Sequence, residues 1–151
     1  MTIAFCGHRN VNVRFDYCIL KIESILWDLC EYEKDLEFLC GGYGEFDAYC
    51  EEVLISLRRN PDFPPFRLCR VLPYPHIKHL NKLGKFYDEL IYPELDDVFF
   101  KQKIVERNYW MVKNCDVLIA YVTDKRGGAA QMLKQAVKLK KRIIYVDFAT
   151  Y

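Results

Sequence analysis

The chain has 151 residues, of which 52% are hydrophobic and 28% are charged, and its formal net charge is +1. This length is enough for one domain with a sizeable core, and the composition excludes a disordered chain. The near-neutral charge argues against a nucleic acid partner, because domains that bind nucleic acid usually carry a strong basic excess. No apolar run is long enough for a signal peptide or a membrane span, so we expect a cytoplasmic protein with no membrane partner.

The first half of the chain alternates between short apolar runs and segments with helical spacing. Met1–Cys6 is an apolar run closed by Gly7, which predicts a buried strand followed by a turn. Apolar residues recur on one face over Phe15–Cys30, which predicts a helix. Leu36–Cys40 is predicted to be the second strand and Glu45–Arg59 the second helix.

The second half continues this alternation, apart from residues 74–100, where prolines and mixed charges predict a loop with short helical pieces. The other predicted elements are a strand at Phe66–Leu72, a helix at Lys101–Asn114, a strand at Val117–Val122, a helix at Gly128–Lys140 and a strand at Arg142–Phe148. Buried strands that alternate with helices form a parallel sheet with right-handed crossovers. We therefore predict one α/β domain over residues 1–151, a Rossmann-like doubly wound sheet that is mostly parallel and has about five strands.

The seven cysteines are an odd number, and none of them is spaced as C-x-x-C. Several lie inside apolar runs, which is typical of small buried hydrophobes in a reducing compartment. His76 and His79 lie three residues apart but lack a third ligand nearby. We therefore expect no metal site and no cofactor.

Three predicted strands are followed by turns rich in glycine or polar residues, and each turn opens onto a helix. They are Gly7–Asn10, Gly41–Asp47 and Thr123–Ala129. In doubly wound sheets, ligands bind beyond the carboxyl ends of the strands, where glycine allows close approach and helix N-termini attract anions. Three such turns at one edge predict a pocket for a phosphate-bearing ligand, with Arg9 as a cation suited to it. His8 is equally well explained as a hydrogen-bonded turn residue, and Asp47 as an acid that suits the first turn of a helix.

The glycine turns occur together with one helix motif in a fixed order along the chain. The order is Gly7-His8-Arg9, then Gly41-Gly42-x-Gly44-x-x-Asp47, then Arg107-Asn108-x-x-Met111-Val112, then Gly127-Gly128. From Ile3 to Val146 this order resembles the SLOG superfamily, which includes the LOG and DprA proteins, and most of all its small YpsA-like branch. The resemblance implies a Rossmann-like fold that binds nucleotides or nucleotide-derived ligands. Within the superfamily, the LOG branch hydrolyses nucleotide N-glycosidic bonds, some members sense ADP-ribose-type signals, and the DNA-processing branch binds single-stranded DNA.

The resemblance also bears on catalysis, since LOG enzymes carry Glu-Arg-Lys on a helix and then Pro-Gly-Gly-x-Gly-Thr-x-x-Glu. Here Glu106-Arg107-Asn108 matches the first motif in part, and Lys134 occupies the position of the catalytic glutamate. A lysine would repel the positive charge that develops at the sugar when the N-glycosidic bond breaks. The resemblance therefore implies binding without turnover. An enzyme of this type would need another carboxylate, for which the candidates are Asp47, Glu45 and Glu106.

Together, the turns and the resemblance predict a protein that binds a small nucleotide-derived ligand, a nucleotide or an ADP-ribose-like molecule, at the carboxyl edge of the sheet. It would sense or sequester this ligand, as a phage or prophage protein that removes a signal does; the alternative is a nucleotide N-glycosidase or phosphoribohydrolase-like enzyme. The predicted ligand-binding residues are Gly7, His8, Arg9, Gly41, Gly42, Gly44, Asp47, Arg107, Asn108, Arg126, Gly127, Gly128, Ala129 and Gln131. We expect a homo-oligomer, as is common in the superfamily. The aromatic-rich stretch over residues 86–110 is either an interface between copies or a cover for one edge of the sheet.

Overall fold

Strands and helices alternate through the two parts of the chain that the computed structural model describes, residues 1–75 and 85–148. The strands are β1 (Thr2–Gly7), β2 (Leu36–Cys40), β3 (Phe66–Val71), β4 (Glu89–Ile91), β5 (Val117–Tyr121) and β6 (Arg142–Tyr145). The helices are α1 (Phe15–Cys30), α2 (Glu45–Arg58), α3 (Lys103–Asn114) and α4 (Gly128–Lys138). A short 3₁₀ helix at Phe100–Gln102 leads directly into α3.

The strands of the described residues form one six-stranded parallel sheet in the order β4-β3-β2-β1-β5-β6. From the central β1 the chain moves outward through β2, β3 and β4, then returns to the other side of β1 with β5 and β6. The strand order therefore reverses between β1 and β5, which pair as far as Gly7 and Tyr121. The predicted doubly wound α/β fold is confirmed, and its switch point places a crevice beyond the carboxyl ends of these two strands.

Helices cover both faces of the sheet, and β1 shows how the sequence encodes this. Alternate residues of a strand point to opposite faces. Ile3 and Phe5 pack into the core that α1 and α2 share, whereas the smaller Ala4 and Cys6 pack with α3 and α4. Helix α1 buries a stripe of residues spaced four apart, Cys18, Ile22, Leu26 and Cys30. Burial on both faces is the reason that β1 is an almost continuous apolar run.

The structure differs from the sequence prediction at one strand and at several element ends. Strand β4 lies within the stretch predicted to be a loop with helical pieces, and it pairs with β3 at the edge of the sheet. Three residues are too few to show strand periodicity, so the sheet has six strands rather than about five. The second helix ends at Arg58, the last helix at Lys138 and the last strand at Tyr145, each slightly earlier than predicted.

The cysteines are core residues throughout. All seven are buried and unpaired, which confirms that they act as small hydrophobes. His76 and His79 lie outside the described residues. Among the helices of the described ranges, none has the length and apolar character needed to cross a membrane.

Candidate functional site

A cleft with a volume of about 550 Å³ opens at the carboxyl edge of the sheet, at the switch point between β1 and β5. Its walls are the turns after β1, β2 and β5, together with side chains of α3 and the first turn of α4. Ten of the fourteen predicted ligand-binding residues line it, namely Gly7, His8, Arg9, Gly41, Asp47, Arg107, Asn108, Gly127, Gly128 and Ala129. The other four, Gly42, Gly44, Arg126 and Gln131, lie outside its lining. The turns identified in the sequence therefore meet around one cavity, and their contact with a ligand stays a prediction.

The first turn of α4 forms an open wall of this cleft. Gly127 has a φ angle of +94°, and among the described residues no atom outside the neighbouring backbone lies within 4 Å of the position that a Cβ would occupy on Gly127 or Gly128. No side chain of the described residues caps this helix. Its first N–H groups and the positive end of its dipole therefore face a space that an anion can enter.

His8 links the turn after β1 to the connection between β5 and α4. Its Nε2 atom accepts hydrogen bonds from the backbone N–H groups of Thr123, at 2.7 Å, and Asp124, at 3.1 Å. The ring also packs edge-on against Tyr121, with 5.7 Å between the ring centroids. Because Nε2 accepts these bonds, the ring is the neutral tautomer that carries its proton on Nδ1. His8 thus lines the cleft and also acts as a hydrogen-bonded turn residue.

Arg107 is a buried cation that joins three elements. Its side chain is 1% exposed, and Nη1 donates to the carbonyl oxygens of Gly41 and Val71, each at 2.9 Å. These bonds tie the carboxyl ends of β2 and β3 to α3. Its Nε atom donates to Oδ1 of Asn108 at 2.9 Å, which fixes the orientation of that amide in the cleft wall. Burial lowers the pKa of Arg107, although the charge of Asp47 opposes this effect.

Asp47 places a buried carboxylate in the same cleft. Its Oδ2 atom accepts the N–H of Tyr43 at 2.9 Å, which closes the turn that leads into α2. Burial raises the pKa of Asp47 to about 7. The hydrogen bond from the Tyr43 N–H and the charge of Arg107 both lower this pKa, but their effect is smaller. At neutral pH this side chain is therefore divided between its neutral and charged forms.

The other two candidate acids and Lys134 lie outside the lining of the cleft. Oε2 of Glu45 accepts hydrogen bonds from the N–H of Val11, at 3.2 Å, and from the hydroxyl of Tyr49, at 3.0 Å. Glu106 is exposed, and so is Lys134 on α4. The argument that the charge of Lys134 acts on a ligand therefore does not apply to this cleft.

The four predicted residues outside the lining have other environments. Gly42 and Gly44 have positive φ angles, +67° and +94°. A Cβ on Gly44 would lie 2.6 Å from the Cα of Arg9, so close packing of two turns requires this glycine. Gln131 is exposed on α4, and the side chain of Arg126 is 92% exposed.

Several residues of the cleft were not among the predicted ligand contacts. They are Phe5, Cys6, Asn10, Tyr43, Ile104, Met111, Thr123, Asp124 and Met132. Tyr43 is 46% exposed, and the guanidinium of Arg9 lies 5.1 Å from its ring centroid. The sequence does contain a signal for Tyr43 as a cleft residue, because it lies between the glycines of the turn after β2. The apolar residues give no such signal, because the core spacing of strands and helices explains them equally well.

No protein-family model matches this chain, and no curated protein sequence matches it. Solved structures do match, and two of them are of DNA processing protein A, from Helicobacter pylori and from Streptococcus pneumoniae. The TM-scores are 0.65 at 16% identity for the first and 0.69 at 13% identity for the second. Both matches cover 97% of this chain, which spans 65% of the H. pylori chain and 50% of the S. pneumoniae chain. A structural genomics target also matches, with a TM-score of 0.58 at 13% identity over 94% of this chain and 71% of the target.

These neighbours contradict the function predicted from the sequence. The H. pylori structure concerns a single-stranded DNA-binding mode of that protein. The prediction of a small nucleotide-derived ligand is therefore wrong, as is the argument against a nucleic acid partner, and the alternative of an N-glycosidase gains no support. The formal net charge does not exclude such a partner, because it averages over the whole surface, whereas a nucleic acid responds to the charges around its own binding site. At these identities the likeness shows the fold alone: the chain has the Rossmann-like fold of the DNA processing protein A structures, which is the fold that the SLOG resemblance implied.

Proposed function

We propose that this chain binds single-stranded nucleic acid at the cleft, with a phosphate of the strand at the first turn of α4. The observation that carries the proposal is the open wall at Gly127 and Gly128, where no other residue in the described part of the chain comes within 4 Å of either Cβ position. Backbone N–H groups at a helix start bind phosphate well. The single-stranded DNA-binding mode of the H. pylori protein, which has the same fold, favours a strand as the ligand.

Exposed cations flank this wall. Arg9 lines the cleft, and Lys125 and Arg126 belong to the connection that leads into α4. Asp124 is the acid of that connection, and its Oδ1 atom accepts the N–H of Arg126 at 2.9 Å and lies 3.6 Å from the Nε atom of the same residue. The local balance is therefore positive, although the formal net charge of the chain is only +1. Positive charge around a cleft attracts a phosphate backbone.

Tyr43 supports a single strand rather than a duplex. Its ring is 46% exposed at the cleft, with the guanidinium of Arg9 at 5.1 Å. Unpaired bases stack on aromatic rings and on guanidinium planes with little dependence on sequence. Bases inside a duplex are already stacked on each other, so they gain no further stacking from this pair of side chains.

The proposal is tested with a fluorescent oligothymidylate of about 20 nucleotides, whose binding is followed by anisotropy between about 50 and 300 mM salt. Contacts with three cations predict that log Kd rises with log salt with a slope of about 2. Arg9→Ala is expected to lower this slope by about 0.7. The matched control is Arg142→Ala, which removes an exposed arginine at the opposite edge of the sheet and is expected to leave the slope unchanged.

Three results would count against the proposal. The first is no binding of the oligonucleotide at the lowest salt concentration. The second is equal affinity for a duplex of the same length. The third is equal affinity for thymidine monophosphate, which would mean that the strand itself contributes nothing.

Several finer predictions from the sequence accompany this proposal. The YpsA-like branch, a phage or prophage origin, a homo-oligomer, a cytoplasmic location and a single domain over residues 1–151 all stay predictions. The ligand contacts of the residues that line the cleft likewise belong to the proposal.

A further inference from the structure

One ring ties the connection between β5 and α4, residues 122–127, to the end of β1. Nε2 of His8 accepts the N–H groups of Thr123 and Asp124, at 2.7 and 3.1 Å. Strands β1 and β5 pair as far as Gly7 and Tyr121, so this contact lies just past the last pair of the sheet. The other side-chain bond of the connection among the described residues is local, since it joins Asp124 to Arg126.

The position of this contact matters because the connection ends at the open wall of the cleft. Thr123 and Asp124 line the cleft themselves, and Gly127 follows Asp124 by three positions in the chain. The turn itself has other contacts, since the carbonyl oxygen of Gly127 accepts the N–H of Gln131 at 3.1 Å and the carbonyl oxygen of Ala129 accepts the thiol of Cys6 at 3.2 Å. The start of the connection is therefore the part of the cleft wall that depends on His8.

We propose that His8 is a positioning residue, which keeps the cleft wall at Thr123 and Asp124 in its binding geometry only while the ring is neutral, so that binding of a strand weakens as the pH falls. A second ring proton would occupy Nε2, the atom that accepts both backbone bonds. A protonated ring has donors on both nitrogens and cannot accept. The backbone N–H groups of Thr123 and Asp124 would then face the N–H of a protonated Nε2, so the connection would have to move away. The inference about strand binding rests on the proposed function.

Other charged or ionisable groups lie on the elements that meet near this contact. They are Arg9 beside the ring in the chain, Tyr121 on β5, Asp124, Lys125 and Arg126 on the connection, and Glu45 and Asp47 at the start of α2. Asp47 acts in the opposite direction to His8, because its neutralisation removes a negative charge from the cleft and favours an anion. A comparison between proteins that share Asp47 and differ only at position 8 separates the two effects.

The test compares the wild type with His8→Gln and His8→Ala. The glutamine amide oxygen can accept the same backbone bonds but does not titrate, whereas alanine removes the acceptor. Affinity for the oligothymidylate is measured at about pH 8 and about pH 5.5, at constant ionic strength. At the higher pH, we expect His8→Ala to bind about tenfold more weakly than the wild type, and His8→Gln to restore most of that loss. On acidification, we expect Kd of the wild type to rise about tenfold relative to that of His8→Gln.

A second measurement follows the connection without any nucleic acid. In the wild type, the backbone amide resonances of Thr123 and Asp124 are expected to shift with pH together with those of the His8 ring. In His8→Gln, they are expected to stay constant. If the wild type does not bind the strand at about pH 8 but its amides follow the ring, the proposed function fails and the control of the connection by His8 stands.

Two results would overturn the inference. One is a parallel change of affinity with pH in the wild type and in His8→Gln. The other is a gain in affinity of the wild type relative to His8→Gln on acidification, which would mean that the added positive charge of the ring outweighs its positioning role.

Discussion

A glutamate in place of Gly128 would put a carboxylate into the open wall of the cleft without disturbing the fold. Gly128 does not have a positive φ angle, unlike Gly127, and within residues 1–75 and 85–148 no atom beyond the adjacent backbone lies within 4 Å of its Cβ position. The residue begins α4, so an acidic side chain suits the positive end of the helix dipole. A glycine is also a poor helix former. We therefore expect the free energy of unfolding of Gly128→Glu to be about 1 kcal/mol higher than that of the wild type.

Binding is expected to change in the opposite direction. A carboxylate about 5 Å from a bound phosphate, at an effective dielectric constant of about 20, repels it by about 3 kcal/mol. This corresponds to a loss of affinity of about 100-fold. The side chain also fills the space through which the phosphate approaches the backbone, which adds a steric loss to the electrostatic one.

The assay is anisotropy with the oligothymidylate, together with urea denaturation of the same samples. The matched control is Val137→Glu, which adds the same charge near the other end of α4, at a side chain that is 55% exposed. We expect this control to bind like the wild type within about threefold. Equal affinities of Gly128→Glu and Val137→Glu would refute the placement of the phosphate at this helix.

Two further predictions concern the buried groups of the cleft. Because burial raises the pKa of Asp47 from 3.8 to about 7, the folded protein retains a proton that the unfolded chain has already lost; its free energy of unfolding is expected to fall by about 2 to 3 kcal/mol between about pH 5 and pH 8, relative to Asp47→Asn. Urea denaturation at both pH values measures this, and identical pH profiles of the two proteins would contradict it. Arg107→Met keeps most of the side-chain volume but leaves the carbonyl oxygens of Gly41 and Val71 without their donor, so we expect a loss of about 3 kcal/mol in the same assay. A loss below about 1 kcal/mol would show that these bonds contribute little.

Local pattern was sufficient to predict most of the architecture. An almost continuous apolar run over β1 and a stripe spaced four apart on α1 are direct consequences of burial, so they appear in the sequence. Topology then brought the turns after β1, β2 and β5 to one edge. The short β4 escaped prediction because its three residues are held by pairing with β3, which no local pattern records.

The roles of single side chains were less accessible, because they depend on distant partners. Arg107 bonds to carbonyls that lie 66 and 36 positions away in the chain, and its own helix gives no sign of them. Gln131 lies outside the lining of the cleft for a different reason. Gly128, Ala129 and Met132 line the cleft, and successive residues turn by about 100° around a helix, which carries Gln131 off that face.

The two sides of the cleft are held by contacts of different kinds. On one side, a buried guanidinium holds α3 to the ends of β2 and β3, and such a contact breaks only at a high cost in free energy. On the other side, the connection into α4 is joined to β1 by surface hydrogen bonds to the His8 ring, and the start of α4 by a bond from the Cys6 thiol to the carbonyl oxygen of Ala129. If a strand binds here as proposed, we therefore expect the connection into α4 to shift when the strand needs more room and the α3 side to stay in place.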